Sequence, residues 1–460
     1  MGCKHTFLAW ELLTRTACTR TLFSRTLVFQ PRVFEPCLFQ PFFAQTTFLQ
    51  SIVCWTLLGW MSLAWSPAAR AAGEDLQTVF QGMLALPDHA DDADGNSVEI
   101  TGLSGVAWLG EDRYVAAMEN SQYMVLFRLS LSQTGKPLAV DSLRVVKLSQ
   151  RHDYEDVAPC PAPVARAMQR ERRGARGLHG TVDSGGNPQE DEQFVLVCEE
   201  DTPAIRAFSL ADGQMLDAVA LPENMLTRGP NRGLESLALE PDGRFVWTAN
   251  EEALPGDGPS AAEGNGTVVR LTRLPLPADE PPLPFDRLRS RRETPAAAAF
   301  QAAYRVDPPH SFVRVFPGQP LSGLSALVAL GRGQLLALER SGAPGLPPFA
   351  SRIYLVDAGS AVDVSAVERD LASRKDAIVE KRLLWKDSLG INVEGLCLGP
   401  LLADGNRGLI AIADNGGIGT PNQVVGLALV AAPPTVKPAV LGAVAALVAI
   451  ALLVGRLTSP

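Results

Sequence analysis

Cysteine, histidine and recognisable catalytic motifs are scarce in this 460-residue sequence. It has seven cysteines and five histidines, and no Cys or Cys/His tract has the spacing of zinc ligands. The sequence also has no P-loop, no dinucleotide-binding glycine loop and no HExxH motif. A disulfide-rich scaffold, a zinc domain and the usual nucleotide-binding folds are therefore disfavoured.

Acidic residues outnumber basic residues, and the excess of acidic residues lies in positions 73–460. The whole sequence has a net charge of −9. Residues 1–72 contain six basic and two acidic residues, which leaves 35 basic and 48 acidic residues, a net charge of −13, for positions 73–460. A body this acidic repels nucleic acid and suits cations or cationic partners, so we predict that it binds no DNA or RNA.

The first 72 residues are predicted to be a leader that contains a signal peptide. Residues 52–65 form an apolar run, preceded by an Arg-bearing stretch and followed by small residues that include Ala69 and Ala71. This order is typical of a secretory signal cleaved near Ala71, and a buried helix is the alternative. Because residues 1–50 make the leader unusually long, either the true start lies further downstream or an organelle-targeting segment precedes the apolar run.

The other end of the chain is predicted to anchor the protein in a membrane. Residues 433–438 form a Pro-rich linker, and residues 439–455 contain no polar side chain. We interpret 439–457 as a short transmembrane segment, with a buried terminal helix as the alternative. Together the two ends predict an exported protein on the periplasmic or extracellular face of the cell envelope.

One short pattern recurs five times between these segments. Its copies are GLSGVAW at 102–108, YEDVA at 154–158, GLESLAL at 233–239, GLSALVA at 323–329 and NVEGLCL at 392–398. Each is followed by a second β-like run that ends in charged or amide residues, and four of the five pairs are joined by a short turn typical of a hairpin. Further strand-like runs follow each pair.

Four antiparallel strands repeated in this way predict an all-β protein, a β-propeller of about five four-stranded blades over residues 73–432. Residues 78–86 are predicted to supply the outer strand that the last repeat lacks. A two-sheet sandwich is the structural alternative, and a sixth, weaker blade around 300–316 is left open. The insertions 161–192, 253–266 and 276–299 are predicted to be loops.

The repeated polar residues are predicted to meet at one mouth of the central channel. Counting back from the turns pairs Ser104 with Glu119, Glu235 with Asn250, Ser325 with Glu339, and Glu394 with Asn415. A ring of carboxylates and amides suits calcium, which takes six to eight oxygen ligands. The predicted metal ligands are Glu119, Glu155, Glu199, Glu235, Asn250, Glu339, Glu394 and Asn415. The alternative is that each Glu accepts backbone hydrogen bonds and braces its neighbouring blade.

These elements together resemble a known family. The stretches 102–107, 231–244, 338–340, 392–396 and 413–415 are similar to those of the phytase-like, or "esterase-like activity of phytase", β-propeller family of exported bacterial proteins. The resemblance implies an exported propeller with ester or phosphoester hydrolase activity. The dense Asp clusters and basic phosphate cradle of the calcium-dependent phytases are not found in this sequence.

The candidates for catalysis and substrate binding are few. His152 is a candidate acid or base, and Arg232 and Arg340 adjoin the acidic ring as candidate clamps for an anionic small-molecule substrate. Two functions remain open at this point. One is a metal-dependent hydrolase of phosphate or carboxylate esters at the acidic channel mouth. The other is a non-catalytic surface propeller that binds a ligand or a protein.

Overall fold

The computed structural model describes residues 76–175, 193–226, 233–277, 299–387, 390–414 and 421–431. The leader, the linker and the predicted transmembrane segment lie outside these residues, as do Arg232 and Asn415. Within the described ranges, no helix combines the length and the apolar character that crossing a membrane requires. Export and anchoring therefore stay predictions.

The described residues form 24 β-strands, numbered here in chain order. The first eleven are β1 Leu76–Ala85, β2 His89–Asp91, β3 Ser97–Glu99, β4 Leu103–Trp108, β5 Arg113–Met118, β6 Ser121–Leu131, β7 Pro137–His152, β8 Tyr154–Cys160, β9 Phe194–Glu199, β10 Ala204–Ser209 and β11 Met215–Val219. The others are β12 Leu234–Leu239, β13 Phe245–Asn250, β14 Thr267–Pro275, β15 Phe300–Val306, β16 Val313–Arg314, β17 Leu321–Gly331, β18 Gln334–Gly342, β19 Gly345–Leu346, β20 Phe349–Asp357, β21 Lys381–Asp387, β22 Asn392–Leu401, β23 Arg407–Asp414 and β24 Gln423–Ala431.

These strands build a five-bladed propeller. From the centre outward, blade 1 is β4-β5-β6-β7 with β2 and β3 added at its edge, blade 2 is β8-β9-β10-β11, and blade 3 is β12-β13-β14-β15. Blade 4 is β17-β18-β20-β21 and blade 5 is β22-β23-β24-β1, while β16 and β19 pair as a small separate ribbon. Each innermost strand contacts the innermost strands of both neighbouring blades, which closes a ring. The prediction of five four-stranded blades is confirmed.

The ring closes through the N-terminal strand, as predicted. Strand β1 pairs antiparallel with β24, from Leu76 opposite Ala431 to Ala85 opposite Gln423. The region around 300–316, left open as a sixth blade, instead supplies β15, the outer strand of blade 3. Its apolar residues pack between blades 3 and 4, so no further sheet is needed to bury them.

Five apolar layers, one between each pair of neighbouring blades, hold the propeller together. Both faces of each blade are covered, so the middle strands are mostly apolar on both faces and do not show a regular alternation with polar residues. Strand β9, for example, is buried at all six positions. A single blade would leave both of its faces in water, and each blade therefore depends on its neighbours.

Short helices lie in the connections between the strands. They are the α-helix α1, Ala162–Ala175, and 3₁₀ turns at Glu223–Met225, Ala358–Ser360, Leu371–Ser373 and Lys375–Ala377. Helix α1 corrects the prediction that 161–192 begins as a loop. Val164, Ala165 and Met168 follow helical spacing and pack into the layer between blades 2 and 3, which stabilises the helix.

A β-bulge near the start of every innermost strand determines where the repeated polar residues point. In each blade the register between the first and second strands shifts at the same place in the motif. The residues at these shifts are Ser104, Glu155, Glu235, Ser325 and Glu394. Because a bulge redirects its side chain, the five motif residues are set apart from the regular strand that follows.

Candidate acidic site at the channel mouth

The bulges shift the predicted pairings by one residue in the hairpins of blades 3 and 4 and by two residues in blade 1. Asn250 lies opposite Leu234 and Glu339 lies opposite Leu324, so the motif residues Glu235 and Ser325 sit in the bulge beside their predicted partners. In blade 1 the last pair before the bulge is Leu103 with Met118. The directions of the side chains therefore depend on the bulge, and the predicted pair of Glu394 with Asn415 lies outside the described residues.

Arg340 lies at this mouth and is held there by acidic side chains. Its guanidinium contacts the carboxylate of Glu394 through Nη1 and donates through Nη2 to Glu251 Oε1 at 3.0 Å. Asn392 Nδ2 donates to the same Glu394 oxygen at 2.5 Å. Burial opposes the charge of Arg340, but Glu394 and Glu251 outweigh it and raise the pKa of the guanidinium above its ordinary value. We call these four residues the Arg340 cluster.

Glu119 lies next to Glu394 of the Arg340 cluster, and its carboxyl group is protonated. Burial, followed by the negative charge of Glu394 and a hydrogen bond to it, raises the pKa of Glu119 from 4.5 to about 9. Burial also raises the pKa of Glu394, but Arg340 opposes that rise. At neutral pH the proton therefore resides on Glu119, which donates it in a hydrogen bond to the ionised Glu394.

A second group, the triple-carboxylate cluster, consists of Asp153, Glu155 and Glu200. One oxygen from each of the three side chains lies within 4.8 Å of the others. Asn120 N donates to Asp153 Oδ1 and Gly233 N donates to Glu200 Oε1, both at 2.9 Å, so two of the carboxylates are oriented by backbone. The spacing and the chemistry of these oxygens fit a bound divalent cation.

Charge repulsion adds to burial in this cluster. Glu155 is 6% exposed, and burial followed by the charges of Glu235 and Glu119 raises its pKa well above the ordinary value. Burial is also the largest cause of the raised pKa of Asp153. Glu235 is buried too, and its pKa is raised by burial and then by Glu251, while Arg340 acts in the opposite direction. Glu235 therefore couples the two clusters electrostatically.

Asn250 is a buried amide without a hydrogen-bond partner among the described residues. Its side chain is 1% exposed, and neither Oδ1 nor Nδ2 is bonded to any group of that part of the chain. Asn250 lies four residues after Val246 on β13, so the two side chains point to the same face of the strand. Val246 packs between blades 2 and 3 with Cys198. Glu200 follows Cys198 at the same spacing, so Asn250 and Glu200 face the same layer. An unpaired buried amide is costly, and a ligand at the triple-carboxylate cluster would relieve it.

Glu339 does not join either cluster. Its carboxylate accepts hydrogen bonds from Tyr304 Oη at 2.7 Å and from Lys381 Nζ at 2.5 Å, and Arg352 lies 3.7 Å away. These partners lie between blades 3 and 4. Adjacent residues of a strand point to opposite faces, so Glu339 and Arg340 cannot both face the same group. The contacts of Glu339 are those of a brace.

Glu199 and His152 also lie outside both clusters, in the layer between blades 1 and 2. His152 Nδ1 lies 3.1 Å from Asp201 Oδ1 and 3.5 Å from Glu199 Oε2. These three side chains would suit a metal by distance, but the guanidinium of Arg206 already contacts the Glu199 carboxylate. The adjacent Glu200 points the other way, which explains why only it reaches the triple-carboxylate cluster.

Several residues of the site were not predicted from the sequence. Asp153, Glu251 and Asn392 all flank a predicted residue, and each is a carboxylate or amide at the end of a strand that bounds the mouth. Asp156, next to Glu155, instead braces two blades, because its carboxylate accepts from Leu237 N and Val157 N at 2.8 Å each. Polar residues within two positions of a predicted residue were the available signal.

The fold and the site define a five-bladed propeller with a carboxylate-rich channel mouth. A family model described as "Phytase-like: Esterase-like activity of phytase" matches residues 98–417. The chain belongs to this phytase-like family. Its sequence has no significant match among curated proteins.

Several solved structures share features of the fold at low sequence identity. The tail fibre of Staphylococcus aureus phage P68 is 8% identical, with 78% of this chain and 54% of that chain covered and a TM-score of 0.36. An endo-arabinase from Bacteroides thetaiotaomicron is 10% identical, with 77% and 96% covered and a TM-score of 0.34. The periplasmic gluconolactonase PpgL of Pseudomonas aeruginosa is 12% identical, with 78% and 100% covered and a TM-score of 0.30.

Proposed function

We propose that this chain is a calcium-dependent hydrolase of phosphate or carboxylate esters that acts at the acidic channel mouth. The observation that carries the proposal is the triple-carboxylate cluster, in which oxygens of Asp153, Glu155 and Glu200 lie within 4.8 Å of one another. Three carboxylates at this spacing repel one another unless a cation or protons compensate. The membership of the phytase-like family supports the same class of reaction.

Calcium is the cation that the donor set fits best. All three acidic ligands are oxygen donors, and Asn250 adds an unpartnered amide oxygen from the neighbouring blade. Calcium accepts six to eight oxygens in irregular arrangements, whereas magnesium requires a near-ideal octahedron. A bound divalent cation would polarise an ester or phosphoryl oxygen and favour attack by water.

Two further residues have chemistry suited to ester cleavage. Glu119, with a pKa of about 9, carries a proton at neutral pH and is a candidate general acid for the leaving oxygen. Arg340 would face the anionic part of a substrate, in exchange for part of its contact with Glu251. His152 is paired with Asp201 in another layer, so we give it no role in the reaction.

A non-catalytic binding propeller is the second candidate function. The observation that favours it is the state of Arg340, whose guanidinium is engaged by Glu394 and Glu251 together. An anionic substrate would have to displace one of these carboxylates. The acidic mouth is instead electrostatically complementary to a partner with cationic groups.

The test combines calcium binding with activity. We expect millimolar calcium to raise the melting temperature of the full-length protein and to support hydrolysis of p-nitrophenyl phosphate or p-nitrophenyl acetate, with loss of both effects after chelation. Glu155→Gln should abolish the calcium-dependent rise, because an amide cannot replace the charge of a carboxylate. Glu394→Gln is the matched control, since Glu394 pairs with Arg340, and should retain the rise.

The outcomes separate the hypotheses. A protein that neither gains stability with calcium nor cleaves either ester would overturn the hydrolase and leave the binding propeller. A calcium effect that Glu394→Gln removes as fully as Glu155→Gln would contradict the placement of the ion at the triple-carboxylate cluster. Stabilisation by calcium without activity on either ester would make the ion structural and would also count against the hydrolase.

We also propose that the propeller is exported and anchored by residues 439–457. The support is the sequence pattern at the two ends, an apolar run with small residues before position 73 and an apolar run after a Pro-rich linker. N-terminal sequencing of the mature protein should begin near position 73. Removal of residues beyond 434 should release the protein from the membrane fraction, and an unprocessed full-length protein in the soluble fraction would contradict both proposals.

A further inference from the structure

A cavity of about 660 Å³ opens at the end of the channel opposite the acidic site. The innermost strands begin at the carboxylates and end here, so the two sites occupy opposite mouths. The wall is built from the later residues of all five innermost strands, together with residues at the start of helix α1 and just after β14. Its volume is typical of a site for a small molecule.

The wall of this cavity is aliphatic. Its principal apolar side chains are Val106, Val157, Leu237, Leu327, Leu396 and Leu398. The one aromatic side chain among the lining residues, Trp108, is covered by the guanidinium of Arg407, 5.2 Å from the ring centre. Because that ring face is taken, the cavity offers contact to an aliphatic body and no free aromatic surface for stacking.

The charges at the rim of the cavity are not equivalent. Arg244 pairs with Asp242 at 2.9 Å, and Glu240 pairs with Arg273 at 2.6 Å. Arg407 differs from these residues, because no carboxylate of the described part of the chain lies within ion-pair distance of its guanidinium. Among the described residues, the planar fork of this guanidinium is therefore the one at the rim without a carboxylate partner, and its geometry suits a carboxylate.

The position of Arg407 is well defined by its neighbours. Trp108 is fixed by a hydrogen bond from Nε1 to the carbonyl oxygen of Glu111 at 2.8 Å, and its ring supports the guanidinium. An arginine placed over an aromatic ring by a cation–π contact loses less freedom when it binds an anion than one that extends into solvent. The cavity thus combines an apolar wall with one preorganised positive group.

We propose that this cavity binds an aliphatic monocarboxylate, with its chain against the apolar wall and its carboxylate on Arg407. A single guanidinium that lacks an acidic partner in the described ranges balances one negative charge, which disfavours multiply charged phosphates. The aliphatic wall disfavours sugars, whose hydroxyl groups would lose their hydrogen bonds to water there. This site is independent of the hydrolase proposed at the other mouth and does not require calcium.

The probe is dodecanoate, titrated calorimetrically into the full-length protein below its micelle concentration. We expect one molecule to bind per chain, and we expect Arg407→Gln to weaken the binding at least tenfold. Dodecanol, which has the chain without the charge, should bind more weakly than dodecanoate and should not respond to Arg407→Gln. Arg128→Gln is the matched control, because Arg128 pairs with Asp112 on blade 1, away from the cavity.

A second variant tests the location without removing charge. Leu398 is a partly exposed wall residue, and Leu398→Trp should fill part of the cavity and weaken both probes. No binding of dodecanoate, or equal binding by the wild type, Arg407→Gln and Leu398→Trp, would overturn the proposal. Binding of several molecules that Arg407→Gln leaves unchanged would show a non-specific surface effect and would overturn it as well. If Leu398→Trp does not fold, weaker binding of dodecanoate by Arg407→Gln is sufficient to support the site.

Discussion

Replacing Glu119 by Gln should make the propeller more stable in alkaline solution while leaving it nearly unchanged in mild acid. The native pKa of Glu119 is about 9, against an ordinary value of 4.5, so the folded state holds a proton that the unfolded chain releases. The contribution of this proton to stability is full below about pH 4.5 and is lost as the pH rises through about 9. Gln has no proton to lose and donates to Glu394 at every pH.

The magnitude follows from the size of the shift. Each pKa unit corresponds to about 1.4 kcal/mol, so a group that titrated alone would contribute up to ~6 kcal/mol between these limits. Glu119 shares its proton with Glu394 and is partly exposed, and we therefore expect ~2–3 kcal/mol. At ~2 °C per kcal/mol for a domain of this size, Glu119→Gln should melt ~4–6 °C above the wild type at about pH 9.

The assay is thermal unfolding of both proteins at several pH values from about 5 to 9, without divalent cations. Wild-type stability should fall with rising pH, and the fall should be shallower in Glu119→Gln but not absent, because Glu155 and Glu235 also have raised pKa values. Glu99→Gln, at an exposed position of β3, is the control and should follow the wild type. Parallel profiles for wild type and Glu119→Gln would refute the reasoning.

Three further predictions concern the framework, and urea unfolding measures each of them. Gly105→Ala should cost at least ~2 kcal/mol, because its Cβ would meet blade 2 backbone at 2.5 Å, whereas Gly399→Ala, with its nearest neighbour at 3.4 Å, should be nearly neutral. Asp257→Ala should cost ~3–5 kcal/mol, because it leaves buried Arg270 without its bidentate partner at 2.6 and 2.7 Å. Deletion of 76–85 should abolish a single cooperative transition, and a deletion variant that melts like the wild type would contradict the closure of the ring by β1.

The propeller could be predicted because several independent sequence features repeat with each blade. The motif, the hairpin turns and the apolar second strand return together in every blade, and each agrees with the same fold. The incomplete last repeat also left one strand to be found, and the run 78–86 had the right length and pattern. Helix α1 was missed because its apolar positions are few and lie in a stretch rich in arginine and proline.

The site could be predicted only in part, because side-chain direction depends on the bulges. Register counting brought Glu235 near Asn250, and the structure places Asn250 opposite the residue before Glu235. The contact of Arg340 with Glu394 did not follow from the counting, which paired Glu394 with Asn415. The counting also placed Glu339 in the same ring as Arg340, although alternation along a strand separates adjacent residues. Whether a given Glu faces the mouth or a neighbouring layer depends on a single inserted residue, and spacing alone does not reveal it.

The pairing of the first described strand with the last makes folding depend on complete synthesis. Leu76 leaves the ribosome long before its partner Ala431, so the nascent chain holds an unpaired strand at each end of the growing sheet array. Contacts of such high sequence separation form slowly, because a long loop must close before any of them is gained. Until then the exposed edges of β1 and of the newest blade are templates for pairing with other chains. Protection of those edges during biosynthesis is therefore a requirement of this fold, separate from the stability of the finished ring.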